Sequence, residues 1–237
     1  KETEEAGMKN KFKMSAFDSS DELAGALSQK LGSILDSAIK NRGAASVAVS
    51  GGSTPKKLFE KLSKIDLDWS KVTVTLVDER WVDTDSSASN ERLVKEFLLQ
   101  NRAKDAKFIG LKNALSVSPE ALMIVKAKLR NIDKLDIVVL GMGGDAHTAS
   151  FFPNAQELEV ALNTQESCCF STATVEPFQR ITLSRSFLLT SERLILHIEG
   201  EEKKRVFDIA SKSDDYANMP IISMMKQEKP LMEVYYA

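Results

Sequence analysis

The run Ile137-Val138-Val139-Leu140, followed directly by Gly141-Met142-Gly143-Gly144-Asp145-Ala146-His147-Thr148-Ala149-Ser150-Phe151-Phe152-Pro153, decides the fold of this chain. A short, unbroken apolar run that ends at glycines reads as a strand buried on both faces, the pattern of a parallel sheet interior. Ligands of open α/β sheets bind in the crevice outside the carboxyl ends of such strands. Here that position carries a carboxylate and an imidazole.

Strand-like and helix-like runs alternate on both sides of this segment. Residues 46–49 and 72–77 read as strands, as do residues 135–140, 180–183 and 194–198. Helical spacing of apolar residues marks residues 55–64, 90–100, 118–130 and 201–210, and a long amphipathic stripe of Leu23, Leu27, Leu31, Ile34, Leu35 and Ala38 marks residues 20–40. Pro55 and Pro119 stand in first turns, where a missing amide hydrogen costs nothing. The alternation predicts a three-layer α/β fold with a largely parallel sheet.

A chain of 237 residues fits one large α/β domain. No repeat, low-complexity linker or domain boundary interrupts it. The domain is expected over residues 15–237. Residues 1–14, rich in Lys and Glu and beginning at Lys1 rather than Met, are set aside as an amino-terminal extension that includes a processing remnant. Hydrophobic residues at 43% and charged residues at 28% are ordinary globular values, which argues against disorder. No signal-peptide core and no run of membrane-span length is present. The net charge of −2 argues against a nucleic-acid protein, so an anionic ligand would have to be held by local positive groups. Cys168 and Cys169 are adjacent, a geometry that disfavours a disulfide, and read as free thiols in a reducing, cytoplasmic compartment.

Three loops at strand ends carry chemistry. Ser50-Gly51-Gly52-Ser53-Thr54-Pro55 joins a strand to a helix, and its backbone amides and hydroxyls suit a phosphate. A tight turn with a Ser or Thr cap fits the same residues equally well. The Gly-Lys-Ser/Thr ending of a nucleotide P-loop is absent. Asp78-Glu79-Arg80-Trp81 offers Arg80 to a phosphate, against the plainer reading of a solvated ion-pair cluster; its carboxylates serve equally to fix loops or cap a helix. His147 follows glycines and Asp145, which suits a general base oriented by a carboxylate, or a loop histidine beside a helix cap. His197, inside an apolar strand, reads as structural. Gly141 to Ala146 also matches a loose dinucleotide pattern, but Pro153 limits the following helix and no acidic partner follows on the next strand. No metal-ligand spacing and no Gly-x-Ser-x-Gly elbow is found.

Taken together, Ser50-Gly51-Gly52-Ser53-Thr54-Pro55, Asp78-Glu79-Arg80-Trp81-Val82 with Ser89-Asn90, the Gly141 to Pro153 segment, and Pro177 with Arg180-Ile181-Thr182 resemble the 6-phosphogluconolactonases, in order and spacing from about residue 15 to the end. The resemblance implies a Rossmann-like α/β/α sandwich and hydrolysis of 6-phospho-D-glucono-1,5-lactone to 6-phosphogluconate, without metal or cofactor. It implies His147 as general base with Asp145 beside it. Gly51, Gly52, Ser53, Thr54 and Arg80 would surround the phosphate, with Gly143 in the substrate site and Arg180 and Lys203 as further anion ligands; the choice between Lys203 and Lys204 stays open. The family usually has Asp-Gly-His where this chain has Asp145-Ala146-His147, so a positive φ there would strain alanine by about 1 kcal/mol. A glucosamine-6-phosphate-type isomerase or deaminase is the rival within the fold, but Asp78-Glu79-Arg80-Trp81 and Ser150-Phe151-Phe152-Pro153 replace that group's usual Asp-Glu-Tyr and Asn-Glu-Pro. A non-catalytic sugar-phosphate sensor is the rival outside it, and the intact His147 speaks against that. A monomer is expected, since no exposed apolar stripe stands out.

Overall fold

Two strands, β3 (Ala45–Val49) and β7 (Ile137–Leu140), are buried at every position. Successive strand residues point to opposite faces, so burial without alternation means that both faces are covered. The computed structural model describes Glu2–Thr3 and residues 10–237. In chain order the other strands are β1 (Glu2–Thr3), β2 (Phe12–Ala16), β4 (Val72–Leu76), β5 (Asp78–Arg80), β6 (Lys107–Ile109), β8 (Cys168–Thr172), β9 (Gln179–Leu183), β10 (Arg193–Ile198) and β11 (Met232–Tyr236). The helices are α1 (Ser20–Arg42), α2 (Lys56–Leu62), α3 (Asn90–Phe97), α4 (Pro119–Leu129), α5 (Leu158–Asn163), α6 (Arg185–Leu188) and α7 (Glu201–Ser211).

The main sheet has the order β1-β2-β11-β10-β7-β3-β4-β6, parallel throughout except for the β1–β2 pair. From β3 the chain runs outward through β4 to β6, then returns to lay β7 on the other side of β3. The strand order therefore reverses between β3 and β7, and the loops after these two strands diverge to open a crevice. The single-domain α/β class expected from the alternation is the class found.

The structure differs from the sequence reading in three places. Asp78–Arg80 is not a loop at a strand end but β5, and with β9 and β8 it forms a separate three-stranded antiparallel sheet. Arg180–Leu183 belongs to this second sheet and not to the parallel one. The boundary at residue 15 falls inside β2, which pairs in parallel with β11. Phe12 packs edge-on against Phe207 with ring centroids 5.0 Å apart, and the buried Asn10 side chain donates to the carbonyls of Ala210, Ser211 and Ser213 at the end of α7. These contacts make residues 10–14 part of the domain; most of residues 1–9 lie outside the described residues.

α1 packs on the sheet through Leu23, Leu27, Leu31 and Leu35, all fully buried, each stabilising the fold by about 1.5–3 kcal/mol. The helix begins at Ser19, whose side chain accepts from the Glu22 amide, and ends at Gly43 with φ 76°. No helix among the described residues is long and apolar enough to cross a membrane. Cys168 and Cys169 are free and buried in β8, and burial pushes their thiols up to about 11 and about 12.

At the amino end of the sheet Asp136 is 3% exposed. Its carboxylate accepts from both terminal nitrogens of Arg42 and from the Ser46 amide, each at 2.8 Å, and so ties the end of α1 to β3 and β7. Asp136→Ala leaves those donors unpaired and is expected to lower the unfolding free energy by about 2–3 kcal/mol, measured by urea denaturation.

Candidate active site

The crevice at the switch point is a cleft of about 250 Å³. Its wall includes Ser50 to Pro55, Asp78, Arg80, Asn90, Gly141 to Gly143, His147, Arg180, His197 and Lys203. Every residue singled out in the sequence for binding thus lines one cleft, and Asp145 touches it through His147.

The turn after β3 forms one side. Its Gly51 is dictated by close approach, since a Cβ there would lie 1.9 Å from Asn90 Oδ1. The amides of Gly51, Gly52, Ser53 and Thr54, and the hydroxyls of Ser53 and Thr54, make no hydrogen bond among the described residues. This is a cluster of uncommitted donors at the mouth of a parallel strand.

The second sheet supplies the opposite side. Arg80 on β5 and Arg180 on β9 are directly paired across the strands. Like charges in that register repel. Arg80 donates to the Ala88 carbonyl at 2.8 Å and Arg180 to the Pro177 carbonyl at 2.7 Å, yet neither forms an ion pair with a carboxylate among the described residues. Burial and then the charge of Arg80 push Arg180 below its ordinary value. The neighbouring carboxylates are otherwise engaged. Glu79 accepts from the amides of Arg80, Asn90 and Glu91 and so caps α3, with burial pushing its pKa up against those bonds. Asp78 accepts from the buried Ser150 hydroxyl at 2.6 Å.

Lys203, in the first turn of α7, also makes no hydrogen bond or ion pair among the described residues. Lys204 is bonded to Asp208 at 2.7 and 2.8 Å and lies outside this cleft. Of the two, Lys203 is the one that lines the cleft.

His147 follows β7. Its Nδ1 is 2.5 Å from Asp145 Oδ1, which also accepts from the His147 amide. A carboxylate only accepts, so Nδ1 carries the hydrogen, and in the neutral ring Nε2 is the nitrogen with the lone pair. Partial burial pushes Asp145 up, but the hydrogen bonds and charge of His147 outweigh it and hold its carboxyl below the ordinary value. The imidazole ring lies 5.0 Å from Phe152, whose face also meets the Arg180 guanidinium at 5.4 Å. Gly143, expected as a substrate ligand, has its amide bonded to the His147 carbonyl. A Cβ at 143 would lie 2.3 Å from the imidazole, so this glycine makes room for the ring.

Several residues of the wall are not evident as site residues from sequence, Asn90 and His197 among them. Asn90 entered only as part of a motif, and its amide donates to the Asp78 carbonyl beside Gly51. His197 was read as structural, and it lines the cleft. Neither has a local signal, because each is brought to the site by pairing between distant segments. No group of three or more His, Cys, Asp or Glu side chains among the described residues is arranged to hold a metal ion.

A crevice at a strand-order reversal, with an Asp-bonded histidine facing unpaired cations, is the layout of a sugar-phosphate enzyme. The chain belongs to the family described as glucosamine-6-phosphate isomerases/6-phosphogluconolactonase, whose model matches residues 18–232. It is 44% identical over 227 residues to a protein of Rhizobium meliloti (strain 1021) named 6-phosphogluconolactonase, covering 94% of this chain and 98% of that one. A Pseudomonas aeruginosa protein of the same name is 36% identical, covering 90% and 91%. The crystal structure of a 6-phosphogluconolactonase from Shewanella baltica OS155 superposes with a TM-score of 0.94 at 47% identity, covering 97% and 99%.

Ala146 has φ 65°, the left-handed region, and is fully buried, its carbonyl accepting from the Ile221 amide. The strain anticipated for alanine is therefore present. Ala146→Gly is expected to raise the unfolding free energy by about 0.5–1 kcal/mol, the relief of strain exceeding the added entropy of the unfolded chain, measured by chemical denaturation.

Proposed function

We propose that this protein hydrolyses 6-phospho-D-glucono-1,5-lactone to 6-phospho-D-gluconate, the second step of the oxidative pentose phosphate pathway. The observation that carries the reading is the His147–Asp145 contact of 2.5 Å in the cleft that also holds Arg80, Arg180 and Lys203 without carboxylate partners. The names of the relatives point the same way.

In this reading the phosphate is held by the amides and hydroxyls of Gly51, Gly52, Ser53 and Thr54 together with Arg80, Arg180 and Lys203. Binding at the phosphate fixes the lactone carbonyl near His147, so that remote contacts position the reacting carbon. Neutral His147 takes a proton at Nε2 from a water attacking that carbon, while Asp145 holds the Nδ1 hydrogen and stabilises the imidazolium that forms. The tetrahedral intermediate collapses, the ring C–O bond breaks, and His147 returns the proton to the departing ring oxygen. Of the turn amides that line the cleft, Gly141 is bonded to Ser50 and Gly143 to His147. Met142 is the one left uncommitted, and the oxyanion is assigned to it. Protein groups and water supply every step.

The reading includes a cytoplasmic monomer. Two free, buried thiols support a reducing compartment. The exposed large apolar residues Met123, Val160 and Ile209 are spread over three different helices, which favours the monomer.

The test generates the lactone in place from glucose 6-phosphate with a dehydrogenase and follows its loss against spontaneous hydrolysis. Accelerated loss is expected, with turnover reduced about 10²-fold or more in His147→Ala. No acceleration by the intact protein sinks the lactonase reading. Arg80→Ala is expected to raise KM about 10-fold with kcat changed much less, because it removes binding common to ground and transition states; an unchanged KM removes Arg80 from the phosphate.

A further inference from the structure

His197 sits at the carboxyl end of β10, one residue beyond the last pairing of β10 with β7, and shares the cleft wall with Lys203. Its side chain is 3% exposed, and Nε2 lies 3.1 Å from Glu199 Oε1. Because the carboxylate accepts, Nε2 carries the hydrogen and Nδ1 of the neutral ring is a bare acceptor. Burial pushes the imidazole below its ordinary value; the bond to Glu199 opposes this and the charge of Lys203 adds to it, with a net shift toward the neutral form. Nδ1 is shielded from water and has no hydrogen-bond partner among the described residues.

A buried acceptor without a donor is unfavourable, and the rest of this strand avoids the problem with Leu194, Ile195, Leu196 and Ile198. Lys203 has the complementary deficit, with three ammonium hydrogens and no acceptor among the described residues.

We propose that His197 is a positioning residue for Lys203, its Nδ1 accepting one ammonium hydrogen so that Lys203 is held at the phosphate position, with Glu199 fixing the tautomer of the ring. Two ammonium hydrogens remain for phosphate oxygens. A neutral acceptor restrains the lysine without cancelling its charge, whereas a carboxylate in the same place would pair with it and compete with the anion. The proposal rests on the phosphate reading of the cleft and involves no bond breaking.

Inorganic phosphate is titrated into wild type, His197→Leu, Lys203→Met and the double variant, with Tm recorded for each and kcat and KM measured on the lactone. His197→Leu is expected to have a Tm at or above wild type, since an unpaired buried acceptor is removed, and to bind phosphate about 5–10-fold more weakly. KM rises by a similar factor while kcat stays within about twofold, and the substitution adds no further loss to Lys203→Met. His197→Gln, whose amide oxygen can accept from Lys203, is expected to keep phosphate binding within about twofold, and it carries the test if His197→Leu does not fold. Undiminished phosphate binding in folded His197→Leu overturns the proposal. So does an equal loss on the Lys203→Met background, which would put His197 in contact with the ligand itself. Wild type that binds no phosphate overturns the reading of the cleft beneath it, a failure distinct from any loss confined to the variants.

Discussion

One hydroxyl ties the loops after β3 and β7 together at the floor of the cleft. Ser50 Oγ donates to the Val139 carbonyl at 2.9 Å and accepts from the Gly141 amide at 3.2 Å. The β3–β7 pairing ends at Val49 and Val139, so without this bridge the two chains would part where the chemistry begins. The second sheet is fastened in the same manner, by Ser150 on Asp78 and by Asn90 on the Asp78 carbonyl. Each such bond contributes about 1 kcal/mol, but leaving either partner buried and unpaired costs more. The site is therefore fixed by polar ties between loops standing on an apolar sheet, and its geometry depends on each tie being complete.

The same ties determine the electrostatics. Glu79 is occupied by backbone amides, Asp78 by a hydroxyl and Asp145 by His147. None of these carboxylates forms an ion pair with Arg80, Arg180 or Lys203, although the charges of Asp78 and Glu79 still favour the charged form of Arg180. In a chain with a net charge of −2 the three cations thus keep hydrogen-bond donors uncommitted in the cleft.

Much of this could be read from sequence, and the unread parts share a physical cause. β3, β7 and β10 announce themselves because strands covered on both faces are continuous apolar runs. β5 is three polar residues whose strand character comes from β9, a hundred positions on, and no local pattern can report a partner that distant. β2 alternates Phe12, Lys13 and Met14 in a segment whose flanking Lys and Glu read as a tail. In the site, glycines and a lone histidine after an apolar run were visible, as was the conditional strain at Ala146. Gly143 shows the limit: the glycine is visible in the sequence, but only the position of the imidazole shows that it makes room for the ring. Which of Lys203 and Lys204 lines the cleft is likewise visible only in the structure, where Asp208 engages Lys204.

The facing arginines make the energy of the fold conditional on its surroundings. Arg80 and Arg180 repel across the second sheet, a cost to folding that an anion bound between them would offset. An anion that binds only the folded chain returns that energy by mass action, about 2.7 kcal/mol at a concentration one hundred times its dissociation constant. On the phosphate reading of the cleft, stability becomes a property shared with the solution: thermal midpoints taken in phosphate and in an uncharged buffer would describe two different degrees of occupancy of the same cleft.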